Sequence, residues 1–133
     1  MHLLDCGGPP YKAFLELFAS TEAAVLVHCH TGKDRTGFVV AMTLAIAGVR
    51  DDEIIADYEM SGPIFETMMA NLVARGMAVP KEAPAYALHK PSSDGLRAML
   101  ARLRADWASP ADWALQQGIP PEIVARARAR LTP

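Results

Sequence analysis

Ten consecutive residues, His28-Cys29-His30-Thr31-Gly32-Lys33-Asp34-Arg35-Thr36-Gly37, bring a thiol, two cations, a carboxylate and two hydroxyls into one short stretch. The apolar run Ala23-Ala24-Val25-Leu26-Val27 leads into it and reads as a short buried strand. A second apolar run, residues 38–49, leaves it and is too long for a strand, so it reads as a helix. Cys29 is therefore expected at the end of a strand, with Arg35 and Thr36 opening a helix. Backbone N–H groups and a helix N-terminus meet in such a loop and make an anion site. A cysteine there ionises easily, because the helix dipole, the N–H groups and the charges of Lys33 and Arg35 all favour the thiolate. Arg35 can fork two oxygens of an anion held above the sulfur. Thr36 can direct its hydroxyl to the sulfur. The stretch thus combines a nucleophile, an anion cradle and a charge clamp.

Three other readings of the loop are weaker. A Walker A phosphate loop needs Ser or Thr after Gly-Lys, and Asp34 stands there instead. A metal site drawn from His28, Cys29, His30 and Cys6 would use neighbours that point to opposite faces of a strand, and no second Cys or His pair lies at zinc spacing. A buried structural cysteine would not account for the adjacent Lys33 and Arg35.

The elements that must position this loop are mostly helical. Leu3-Leu4, within the opening Met1-His2-Leu3-Leu4-Asp5, is the one other candidate strand, ended by Gly7-Gly8-Pro9-Pro10. Residues 11–18 suit a short helix. The helix over residues 36–47 is apolar nearly all round, hence central, with Gly48 at its C-terminal cap. Asp51-Asp52-Glu53 open the next helix as a solvated acidic first turn. Residues 64–75 form another, with Ile64, Phe65, Met68, Met69, Leu72 and Val73 on one stripe. A loop runs from residue 76 to 91, and Ser92 or Ser93 caps a helix over 94–107. Ser109-Pro110-Ala111-Asp112 is a capping box with proline at the first helical position, and Pro120-Pro121-Glu122 opens the last helix. Arg126, Arg128 and Arg130 spread round that helix as a solvated surface. No repeat, linker or low-complexity tract interrupts the chain.

Composition sets further bounds. At 133 residues a single domain is expected. The net charge of −2 argues against a nucleic-acid partner. Two cysteines, one of them a nucleophile, suit a reducing compartment. No signal peptide pattern or membrane-length apolar run is found, so stable membrane insertion is not expected. The cytoplasm is the default location, with export by an unrecognised route left open.

Cys29-x5-Arg35 followed by Thr36 resembles the signature loop of the cysteine-dependent protein tyrosine phosphatase superfamily. With His28, Gly32, Lys33, Asp34 and Gly37 added, it resembles the bacterial protein-tyrosine/serine phosphatases, whose members often accept phosphoinositides. The likeness continues through residues 54–58 and from Trp107 to Leu131, covering most of this chain but only the later half of the usual domain. It implies an α/β fold with a signature strand–loop–helix and a mostly helical C-terminal part, the flanking N-terminal strands being absent. Residues 1–133 would then be one truncated catalytic domain.

The resemblance also implies metal-free, cofactor-free hydrolysis of phosphate monoesters through a phosphocysteine on Cys29. His30, Thr31, Gly32, Lys33, Asp34 and Arg35 would bind the phosphate, with His28, Thr36 and Gly37 in support. Lys33 adds charge suited to phosphoinositides as well as phosphoproteins. The family often places its general acid on an upstream loop, where Asp5 is the only aspartate; Asp34, inside the signature loop, ranks ahead of it. Two alternatives stand beside hydrolysis. One is an inactive phosphate-binding module. The other is an arsenate reductase, which needs further redox cysteines where only Cys6 is available. A lone strand leaves N–H and C=O groups unpaired, so self-association through an exposed strand edge is expected.

Overall fold

The computed structural model describes residues 3–77, 81–83 and 92–132. Among them the helices run in the order α1 Leu3–Cys6, α2 Gly8–Ser20, α3 Asp34–Ala47, α4 Asp51–Glu59, α5 Ser61–Ala74, α6 Asp94–Asp106, α7 Pro110–Gln116 and α8 Pro121–Leu131. None of them is long and apolar enough to cross a membrane. Most of the expected loop between residues 76 and 91, with Met1 and His2 of the expected first strand, lies outside the described residues.

Helix α3 is central because apolar residues surround it. It packs on α8, α4 and α7, while α2 also packs on α8. Phe38, Ala41, Met42, Ala45 and Ile46 are buried along it. Its end is set by Gly48, whose φ of 94° lies in the left-handed region that favours glycine. There the Gly48 N–H donates to Ala45 O at 3.1 Å and the Val49 N–H to Leu44 O at 3.0 Å. At the start of α7, Ser109 Oγ accepts from the Asp112 N–H at 3.1 Å, with Pro110 at the first position.

An aromatic cluster anchors the core. Phe38 of α3 meets Trp113 of α7 edge-on at 5.8 Å and Tyr11 of α2 at 5.9 Å. Both polar tips are satisfied: Trp113 Nε1–H donates to Leu4 O at 3.2 Å, and Tyr11 OH pairs with Thr43 Oγ1 at 3.3 Å. Burial pushes the Tyr11 phenol well above its ordinary range, and the bond to Thr43 only partly offsets this.

Several expectations need correction. The α/β class gives way to a mostly helical fold, with no strand among the described residues. Leu3 and Leu4 are helical, in α1, because Leu4 buries its side chain in the core while its carbonyl caps the Trp113 indole. Among the described residues, 24–29 then have no neighbouring strand with which to form a ladder. They nonetheless keep a strand-like alternation, with Val25, Val27 and Cys29 half-buried and Ala24, Leu26 and His28 exposed. Val25 and Val27 border a small apolar cavity with Phe14, Phe18, Val40 and Leu44. On α5 only Phe65 and Met69 of the expected stripe are buried, forming a small separate cluster with Leu72. Ile64 and Met68 face outward. The acidic start of α4 is more than a solvated cap, since Asp51 takes Arg104 of α6 at 2.6 Å. Glu53 does close the turn by accepting the Arg50 N–H at 3.2 Å.

Candidate active site

Residues 24–29 deliver Cys29 to the N-terminus of α3, and residues 30–33 turn the chain between them. Gly32 makes that turn possible. Its φ is 68°, and a side chain at this φ would be strained whatever the space around it. The turn aims the N–H groups of Gly32, Lys33 and Thr36 at the Cys29 sulfur. Burial pushes the Cys29 thiol up, but the Thr36 hydroxyl and these three N–H groups outweigh it and bring the thiol down from 9.0 to about 6. Thr36 Oγ1 is buried and lacks a partner within ordinary hydrogen-bond geometry. It faces the sulfur closely enough to favour the thiolate without forming a standard bond.

The loop's charges lie around this cradle. Lys33 has a side chain only 18 % exposed, with its Nζ 3.8 Å from Asp34 Oδ2. Asp34 is the first residue of α3 and its side chain is 70 % exposed. Arg35 is exposed on the first turn, and no ion pair holds it among the described residues. His30 is exposed and Thr31 half-buried on the turn. His28 points outward, its Nδ1 3.3 Å from the Cys29 carbonyl oxygen. Asp5 is differently engaged. Both of its oxygens accept from the Arg102 guanidinium of α6, at 2.7 and 2.8 Å. The structure therefore brings Cys29, Gly32, Lys33, Asp34 and Thr36 together, while Asp5 is turned to α6.

Two residues near the loop escape a reading of the sequence alone. Tyr58, on α4, lies against the first turn of α3 because residue 37 is glycine: a Cβ there would sit 2.7 Å from Tyr58 Cε2. Burial, and then the charge of Asp34, push the Tyr58 phenol up. Arg130, expected on a solvated helix surface, instead reaches the chain that leads into residues 24–29. Its guanidinium donates to the carbonyls of Phe18, Thr21 and Ala23, the Thr21 bond being 2.6 Å, and lies 4.4 Å above the Phe18 ring. The Gly37 and Tyr58 pairing was signalled only by a glycine inside a helix. Nothing local signals the Arg130 contact.

A sequence model described as "Tyrosine phosphatase family" matches residues 1–133. The chain is 29% identical over 130 residues to a "Tyrosine-protein phosphatase" of Nostoc commune, covering 92% of this chain and 44% of that protein. Over 48 residues it is 48% identical to the "Triple specificity protein phosphatase PtpB" of Mycobacterium tuberculosis, covering 36% of this chain and 17% of that protein. The chain thus spans less than half the length of these curated relatives.

Proposed function

The chain belongs to the tyrosine phosphatase family, and on that premise we propose that residues 1–133 act as one catalytic unit hydrolysing phosphate monoesters through Cys29. The observation that carries this reading is a thiol brought to about 6, against its burial, by the Thr36 hydroxyl and by N–H groups converging on its sulfur. The Cys29 thiolate attacks phosphorus. The S–P bond forms as the bond to the leaving oxygen breaks, and that oxygen takes a proton from a general acid. Water then attacks the phosphocysteine, gives its proton to the same group, and releases orthophosphate and thiolate. Arg35 and the N–H groups of the turn hold the equatorial oxygens, with His30 and Thr31 at the rim. Thr36 steadies the sulfur as nucleophile and as leaving group, while His28 and Gly37 support the loop.

Asp34 is the better general acid. It stands within the loop on an exposed position, whereas both oxygens of Asp5 are held by the Arg102 guanidinium of α6. Phosphoproteins are the substrate class that the family supports. Lys33 beside the cradle favours highly anionic esters as well, phosphoinositides among them. A thiolate enzyme with no disulfide framework suits the cytoplasm. No cofactor enters this scheme. The open backbone of residues 24–28 supports self-association by strand pairing.

The test is phosphate release from an aryl phosphate, with acid quenching to trap a phosphorylated Cys29. Wild type should release phosphate, and Cys29→Ser should fold normally but release none. Binding of phosphate without release by wild type would replace the hydrolase with a phosphate-binding module. More than trace turnover by Cys29→Ser would remove the mechanism.

A further inference from the structure

Beside the nucleophile loop lies a cavity of about 350 Å³ that the chemistry above does not use. Lys33, Asp34 and Gly37 form its wall on the loop side. Phe38, Leu96 and Met99 give it an apolar lining, and the Tyr58 ring completes it. Its volume falls at the lower end of the ~300–1,000 Å³ typical of small-molecule clefts. Its make-up also fits one, being apolar and aromatic with a few polar groups at one side.

The cavity exists because of glycine. Residue 37 has no Cβ, so the Tyr58 ring can lie against α3 and present an aromatic wall. At position 95, in the first turn of α6, a Cβ would meet nothing within 4 Å, so the cavity stays open on that side. Lys33 and Asp34, which line the cavity, belong to the same loop as Cys29. A cation there can hold an anion while the apolar part of the same molecule reaches the rings of Phe38 and Tyr58.

We infer that this cavity is a specificity subsite that takes an extended aryl group of a phosphate monoester whose phosphate lies over Cys29. The inference rests on the reading of Cys29 as the attacking group, and it adds a substrate preference to it. Phosphate esters with a second aromatic ring are favoured over those with one.

The test compares phenyl phosphate with 4-biphenylyl phosphate, whose leaving oxygens are similarly acidic, in wild type, Gly95→Ala and Gly95→Leu. Both substitutions replace a helical glycine with a better helix former, so folding is retained. Wild type should favour the biphenylyl ester about tenfold in kcat/KM, the size of effect an added apolar group has in a fitted pocket. Gly95→Ala should keep that ratio. Gly95→Leu, whose side chain can enter the cavity, should bring it near unity while leaving phenyl phosphate unchanged. A ratio near unity in wild type, or one that Gly95→Leu does not alter, overturns the inference while phenyl phosphate turnover upholds the hydrolase. Calorimetric binding of benzylphosphonate and its 4-phenyl analogue separates the two claims in the other direction. If no ester is turned over, a binding preference for the larger phosphonate that Gly95→Leu removes still supports the subsite. An absent preference overturns it.

Discussion

The Cys29 thiol is lowered by groups of different kinds, and substitution can separate them. The thiol at about 6 is protonated below that pH and ionised above it. Alkylation by iodoacetate should therefore rise with pH through a midpoint near 6 before levelling off, with phosphate protecting the sulfur; a midpoint in the ordinary thiol range of about 8.5 would contradict the cradle. Thr36→Val removes the hydroxyl, the largest of the lowering influences, and keeps the shape, so the same midpoint should move upward. Arg35→Lys keeps the charge but loses the planar fork, and turnover should fall by about a hundred- to a thousand-fold, as when a transition-state donor is removed. Asp34→Asn should slow alkyl phosphates far more than aryl phosphates, whose leaving groups need little protonation. If Asp5→Asn gives the larger selective loss, the acid is Asp5. At this level the grouping was legible in the sequence, because Cys29, Gly32, Lys33, Asp34 and Thr36 lie close together along one short loop. Tyr58 was not legible in the same way, since it comes from another helix.

Helix ends were legible for a related reason: Gly48 and the Ser109-Pro110 pair act on backbone within four residues of themselves. Strands were not. A strand is defined by its neighbour, and no pattern inside residues 23–27 could show whether one was there. The misreading of Leu3-Leu4 has a similar origin, since the bond from Trp113 to Leu4 O spans 109 positions. The packing of α4 on α3 offers a direct test. Gly37→Ala should raise helix propensity by about 1 kcal/mol. It also drives a methyl into Tyr58, which costs about 1–3 kcal/mol by overpacking. The net effect should be a lower melting temperature in wild type and a higher one in a Tyr58→Ala background, measured as a double-mutant cycle. Equal effects in both backgrounds would show that the ring does not press on residue 37.

Across the described residues an aromatic cluster anchors the main core, and residues 24–28 leave a stretch of backbone open. Trp113 is fully buried between Tyr11 and Phe38, so Trp113→Ala should cost about 3–5 kcal/mol in denaturant unfolding. Among the described residues, 24–28 make no backbone hydrogen bonds to the helices, and Leu26 is 88 % exposed on them. Sedimentation should therefore show concentration-dependent association that Leu26→Lys weakens. A strictly monomeric wild type at high concentration would remove strand pairing as the contact. The Arg130 clamp has a consequence in time as well as in space. Its bond to Thr21 joins positions 109 apart, so the carbonyls leading into the nucleophile segment are made long before the guanidinium that gathers them. At ~5–20 residues per second that delay is on the order of ten seconds of synthesis. A growing chain therefore carries Cys29 without the tether that fixes the approach to it until α8 has been made.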